Sequence, residues 1–250
     1  PSHRRGRGPA AGDDALAEKG PTGRQEQKLR IEDSVADRAV GIPFAKEGIP
    51  FIGAAAGVTL LAGWLGWIIV AVGAAILTLF VSWFFRNPSR VVPQGPRLVV
   101  ASGDGKVIAI EEEFEPRFIK DRSIRLTIFL NVFDVHINRI PCEGVVEEVQ
   151  YQPGLFLVAS RPDATLRNEQ NALMIRTVQG AKVLCVQVAG LIARRIVCWI
   201  SSGDRAVRGE RFGLIRFGSR MDTFLPVGTA VKVAVGDRVK GGETILGELQ

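Results

Sequence analysis

Gly209-Glu-Arg-Phe-Gly-Leu-Ile-Arg-Phe-Gly-Ser-Arg-Met-Asp-Thr-Phe-Leu-Pro226 runs directly into Val227-Gly-Thr-Ala-Val-Lys-Val-Ala-Val-Gly-Asp-Arg-Val-Lys-Gly-Gly-Glu-Thr-Ile-Leu-Gly247. Two β-prone runs, Phe212 to Phe217 and Asp222 to Leu225, meet at a Gly-Ser step. The second half is short valine-rich runs broken by Gly-Asp and Gly-Gly turns. This pattern predicts short strands joined by tight turns, hence a mainly β domain.

The same texture extends back to Leu98. Leu98 to Ile110, Arg125 to Phe133, Ala181 to Ala189 and Leu191 to Ile200 read as strands, and no helix-period segment longer than about ten residues follows Arg90. Upstream the texture changes. Phe51 to Phe85 is 35 residues without a charge, which as one helix would be roughly 52 Å long, well beyond the roughly 30 Å of a bilayer core. Gly63-Trp-Leu-Gly-Trp67 lies near its middle and supplies a bend. With Arg38 and Lys46 before it and Arg86 and Arg90 after it, the positive-inside rule favours a membrane hairpin with both ends cytoplasmic. A single tilted span is the alternative. Residues 1–34 are rich in Arg, Gly, Pro, Ala and Glu and read as a disordered or amphipathic extension without the apolar core of a signal peptide. Residues 35–90 then form the membrane-associated helical part and 91–250 the β domain.

The formal charge of +6 is spread along the chain and not gathered in a stripe. Beside an apolar segment it suits an anionic lipid surface, and no basic-and-aromatic motif supports nucleic-acid binding. Cys142, Cys185 and Cys198 lack Cys-x-x-Cys spacing, and with two histidines in the chain no metal site is expected. The thiols read as small buried apolar groups in a reducing compartment.

Gly218-Ser219 is the stretch with chemistry of its own. A serine hydroxyl can attack the preceding carbonyl, and glycine leaves that carbonyl uncrowded. The N-to-O acyl shift gives an ester. β-Elimination then frees the glycine carboxylate and leaves a dehydroalanine, which hydrolyses to a pyruvoyl group able to form Schiff bases with amines. His136 is the histidine outside the N-terminal tail, so imidazole chemistry has to use it.

Several pieces occur in order: Trp83-Phe-Phe-Arg-Asn-Pro-Ser-Arg90, Ala101-Ser-Gly-Asp-Gly-Lys-Val107, Phe133-Asp-Val-His-Ile-Asn-Arg-Ile-Pro141, Asn168-Glu-Gln-Asn171, Gln187-Val-Ala-Gly-Leu-Ile-Ala-Arg-Arg-Ile196 and the Phe-Gly-Ser site. As a set, from about Val35 to Gln250, the chain resembles the phosphatidylserine decarboxylases, particularly their short bacterial form. The resemblance implies a self-cleaving proenzyme cut between Gly218 and Ser219 into a large and a small chain. A covalent pyruvoyl group derived from Ser219 would decarboxylate phosphatidylserine to phosphatidylethanolamine through a Schiff base. Asp104 would orient and charge His136 against Ser219, with Asp134 as the competitor for that role. Longer members carry Leu-Gly-Ser-Thr and a second histidine where this chain has Phe217-Gly-Ser-Arg220 and Arg139, so His136 would serve both maturation and turnover. Arg139 and Arg194 are the candidate phosphate ligands, followed by Arg195 and Arg216. The implied setting is the cytoplasmic side of the cell membrane, with homo-oligomer formation left open.

Val227 to Gly247, with Asp104 to Ile110 as its partner, also looks like the half-motifs of lipoyl and biotinyl carriers, but the carriers' modified-lysine hairpin is lacking. The expected fold is therefore a sandwich- or barrel-like β domain with lipoyl-like half-motifs behind an apolar helical hairpin. A non-enzymatic membrane-anchored adaptor with that β domain is the other reading. On the enzyme reading, removing Phe51 to Phe85 is expected to spare self-cleavage, which needs only the β domain, and to reduce turnover of phosphatidylserine in a bilayer.

Overall fold

A computed structural model describes residues 43–155, 168–190, 196–216 and 219–250. The extension over 1–34 lies outside the described residues, as do Arg194, Arg195 and Gly218.

The apolar run folds as two helices, α1 (Ile49–Trp64) and α2 (Ile68–Phe84). Pro50 occupies the first turn of α1, where its missing N–H leaves no bond unmade. The break falls at Leu65-Gly66-Trp67, within the predicted bend, and Gly66 takes a φ of 74° that a side chain would resist. Thr59 Oγ1 and Thr78 Oγ1 lie 3.2 Å apart across the pair, and Phe51 stacks on Phe85 at its base with centroids 5.8 Å apart. Contacts at both levels make the pair an antiparallel hairpin. Its outer side chains are bare, with Trp64 82% and Ile69 89% exposed. Lys46–Trp64, which includes a 3-10 turn (Lys46–Gly48), is the one helix among the described residues long and apolar enough to cross a membrane.

From Leu98 onward the described residues are strands and turns. Eight strands form an antiparallel sheet in the order β13 (Arg238–Val239), β2 (Gly105–Glu115), β3 (Asp121–Leu130), β11 (Ser219–Pro226), β7 (Lys182–Ala189), β6 (Gln170–Thr177), β5 (Gly144–Gln152) and β9 (Arg205–Ala206). Both edges are two-residue strands, which limits the backbone offered to another chain. Two small sheets share its core. One has the order β1 (Leu98–Val100), β14 (Ile245–Glu248), β12 (Ala230–Val231), and the other β4 (Ile137–Arg139), β10 (Arg211–Ile215), β8 (Ile196–Cys198). The main core draws Val99 and Leu246 from the first, Phe212 and Ile215 from the second, and Leu126, Ile128, Leu173 and Met221 from the large sheet. The fold is mainly β, as expected, and layered like a sandwich.

One strand reading needs correction. Leu98 to Ile110 is not one strand. It breaks at Ser102-Gly103-Asp104, and its halves join different sheets as β1 and β2. β2 then continues through Glu111, Glu112 and Glu113, because β3 supplies arginines to them: Arg125, opposite Glu111, binds it and lies 3.4 Å from Glu113, and Arg122 reaches diagonally to Glu112 at 2.8 Å. The Val227–Gly247 stretch does pair with its expected partner, Arg238 opposite Lys106 and Val239 opposite Gly105. At Gly105 a β-carbon would fall 2.2 Å from the Phe129 carbonyl oxygen, so that close approach requires glycine.

A second core joins hairpin to sandwich. Phe84 and Phe85, counted from sequence as the end of the membrane segment, are buried with Ala45, Val135, Ile137 and Leu214. Ala45 N–H donates to Phe85 O at 2.8 Å and Trp199 Nε1 to Glu47 Oε1 at 2.9 Å. The base of the hairpin is therefore part of the β domain.

Candidate active site

Two connections link the large sheet to the β4–β10–β8 sheet. One leaves β3 at Leu130 and reaches β4 at Ile137, with His136 at its end. The other leaves β10 at Ile215 and enters β11 at Ser219. They are joined at both ends: Ser219 lies in register with Leu130, and Ile215 N–H donates to His136 O at 3.3 Å. Ser219 also pairs with Ala189 of β7, so it stands in the middle of the sheet. Alternation along β11 puts it on the face of Met221 and Leu225, inside the main core. Its side chain is buried, and Oγ has no hydrogen-bond partner among the described residues. Such a hydroxyl costs about 1–3 kcal/mol.

His136 is fully buried, which excludes a solvated surface histidine. Phe84 lies against its ring with centroids 4.3 Å apart. Nδ1 lies 3.0 Å from the carbonyl oxygen of Asp134; a carbonyl only accepts, so Nδ1 carries the proton and Nε2 is the basic nitrogen. Burial pulls the imidazole pKa down to about 4, opposed by the Asp134 carbonyl and reinforced by the nearby Arg86 cation. At neutral pH the ring is neutral and able to accept a proton.

Asp104 sits in the turn that separates β1 from β2. Its Oδ2 accepts from Arg90 Nη2 at 2.7 Å, and its Oδ1 from the Gly241 N–H at 2.8 Å. Burial raises its pKa, and Arg90 works against that rise. The neighbouring Gly103 packs so closely that a β-carbon there would lie 3.2 Å from Met221 Cγ and 3.3 Å from Leu130 Cδ2, next to the Ser219 pairing. The turn thus flanks the two connections. The described group that fixes the imidazole is nonetheless the Asp134 carbonyl, while the Asp134 carboxylate caps Asn131 N–H at 2.9 Å and meets Arg238 at 3.2 Å. Arg86 lies within electrostatic reach of both Asp104 and Asp134, and its charge bears on His136.

The arginines divide sharply. Arg139 is buried, donating to Gly209 O and Pro88 O at 2.8 Å each. Burial lowers its pKa to about 10. Both ends of its guanidinium brace the backbone, so it is placed as a strut and not on an open phosphate surface. Arg90, one of the charges flanking the apolar run, turns inward to Asp104 and Glu243. Arg86 donates to Trp83 O and Phe133 O at 2.8 Å each. Arg216 lies over the Phe51 ring at 5.3 Å. Phe84, Arg90 and Gly241 were given no part in the site by sequence reasoning. The signal for the first two was their place in the Trp83–Arg90 piece; nothing local marks Gly241.

Burial also holds the Cys185 thiol up at about 12 and raises Cys142, so both stay protonated, in keeping with a packing role.

Comparison with known proteins bears on the whole of this geometry. A sequence model described as phosphatidylserine decarboxylase matches residues 77–247. The chain belongs to the phosphatidylserine decarboxylase family. A phosphatidylserine decarboxylase proenzyme of Syntrophus aciditrophicus is 49% identical over 206 residues, 81% of this chain and 96% of the relative. One of Nitrosomonas europaea is 49% identical over 208 residues, covering 82% and 94%. One of Desulfotalea psychrophila is 45% identical over 208 residues, covering 83% and 97%. Membership in the phosphatidylserine decarboxylase family removes the ground for the non-enzymatic adaptor. The matched region takes in Phe84, Arg90, Asp104, His136 and Ser219, but only the end of the hairpin.

Proposed function

We propose that this chain decarboxylates phosphatidylserine to phosphatidylethanolamine and carbon dioxide, after cutting itself between Gly218 and Ser219 to make a pyruvoyl group. The observation that carries the proposal is the buried, unpartnered Oγ of Ser219 at the head of β11, on the connection paired with the His136 segment.

Ser219 Oγ adds to the carbonyl carbon of residue 218 while His136 Nε2 takes the hydroxyl proton. The proton passes to the departing nitrogen of residue 219, and an ester replaces the amide. Removal of the Ser219 Cα proton expels residue 218 as a carboxylate, breaks the Cβ–Oγ bond and leaves a dehydroalanine. Water adds there and ammonia leaves. Asp104 assists by offsetting part of the Arg86 charge, which keeps a passing imidazolium affordable. The pyruvoyl ketone supplies an electron sink for the substrate's amine and departing carboxylate. His136 Nε2 then takes a proton from the substrate's ammonium group or from solvent and delivers it to the carbon that has lost carbon dioxide. No metal enters the scheme.

The bare apolar faces of α1 and α2 support a setting in the membrane. Lys46 and Arg86 at the base of the hairpin favour the β domain on the cytoplasmic side. The substrate keeps its acyl chains in the bilayer, since each buried CH₂ is worth about 0.8 kcal/mol.

Denaturing electrophoresis tests the cut. Wild type is expected to give fragments of about 24 and 3 kDa from the 27.1 kDa chain, and Ser219→Ala one uncut band with no release of carbon dioxide from phosphatidylserine. A processed, active Ser219→Ala protein would overturn the assignment.

A further inference from the structure

Arg216 stands three residues before Ser219, at the base of the hairpin, and differs from the other described arginines around the site. Arg86, Arg90, Arg139, Arg211 and Arg220 each donate to a carbonyl, an amide oxygen or a carboxylate of the protein. Arg216 makes no hydrogen bond or ion pair among the described residues, and its Nε is buried without a partner. What holds it is Phe51, whose ring lies under the guanidinium at 5.3 Å and itself stacks on Phe85. A partly buried guanidinium with a ring contact but no anion has lost hydration that the ring alone offsets poorly. Its planar fork fits a phosphate with two parallel bonds.

We propose that Arg216 binds the phosphodiester of the lipid substrate's head group, with Phe51 fixing the guanidinium plane at the level where α1 emerges. The proposal rests on the decarboxylase reading and adds a specificity-determining residue to it. The serine carboxylate is the poorer partner. Pairing it would stabilise the charge that has to be lost as carbon dioxide leaves and would slow the chemical step. The phosphodiester keeps its charge throughout, so holding it costs the reaction nothing.

The test compares full-length wild type, Arg216→Gln and Arg216→Lys on vesicles containing phosphatidylserine. Processing is read separately on a denaturing gel. Arg216→Gln is expected to raise KM about 10- to 100-fold, the size of a lost charge-assisted hydrogen bond, with kcat little changed. Arg216→Lys is expected to recover part of the loss. Unchanged KM in a processed Arg216→Gln overturns the proposal. If Arg216→Gln stays uncut, vesicle binding is compared between Ser219→Ala and Ser219→Ala/Arg216→Gln. A drop of the same size is expected, and equal binding overturns the proposal. The binding comparison also separates the two ideas: wild type that is cut but releases no carbon dioxide sinks the decarboxylase reading and leaves the Arg216 difference readable. Inorganic phosphate is the control for source. Arg216-dependent binding of phosphate alone as tight as that of vesicles would overturn the lipid assignment.

Discussion

His136 is sealed between Phe84 and the backbone of Asp134, and its depressed pKa of about 4 has consequences in two measurements. Self-cleavage is expected to be nearly independent of pH from about 5 to 8, because the ring stays neutral there, and to fail as pH drops through the folded pKa. Stability has its own sign. The folded pKa lies below the unfolded value of 6.5, so the folded state is penalised wherever only the unfolded chain takes up the proton. Full stability is present above about pH 6.5 and is lost as pH falls toward 4, by on the order of 3 kcal/mol in total. Urea midpoints at several pH values, in Ser219→Ala with and without His136→Gln, check this; the added substitution is expected to remove most of that slope. Asp104→Asn is expected to slow maturation without abolishing it, because the Arg86 charge near the imidazole loses part of its counterweight. A rate equal to wild type on a timed gel would assign Asp104 to structure alone.

At the scale of elements, the hairpin is two things joined end to end. Its outer turns are bare apolar surface, whereas Phe84 and Phe85 are packed among Val135, Ile137 and Leu214 beside His136. Replacing a buried Phe by Ala costs about 3–5 kcal/mol, and removing Phe51 to Phe85 takes both phenylalanines at once. The structure therefore reverses the expectation that this deletion spares self-cleavage. The full deletion is expected to block the cut. A shortened hairpin that keeps residues 43–54 and 79–90 is expected to cut normally and to lose turnover on vesicles. Gels and carbon dioxide release on the two variants check both halves. Normal processing of the full deletion would show that the Phe84 contact is dispensable for His136.

Across the whole molecule, the segment after the proposed cut is not peripheral. It supplies β11, fourth of eight in the large sheet and bonded on both sides, together with β12, β13 and β14. It also supplies the Gly241 N–H and the Glu243 carboxylate that hold Asp104 and Arg90. The two fragments are accordingly expected to co-elute on gel filtration after processing and to melt in one cooperative transition. Loss of the small fragment under native conditions would mean that the β11 register rearranges once the chain is cut.

The sequence by itself determined the uncharged helical run and its bend and the strand-rich remainder, and it singled out the Gly218-Ser219 step and His136 for the proposed chemistry. These are readable because periodicity, turn chemistry and bond reactivity belong to neighbouring residues. It also predicted that Asp104 to Ile110 would meet Val227 to Gly247, since both halves carry their own pattern. Only the tertiary structure decided that the Asp134 carbonyl fixes the imidazole, that Arg90 faces inward, that Arg139 is a strut and that the hairpin ends inside the core. Each of those depends on which distant groups meet. Asp104 takes its bond from Gly241, 137 residues away, and Trp199 reaches Glu47 across 152. An arginine reads alike in sequence whether its donors are spent or open; burial and the partner at hand decide what it does.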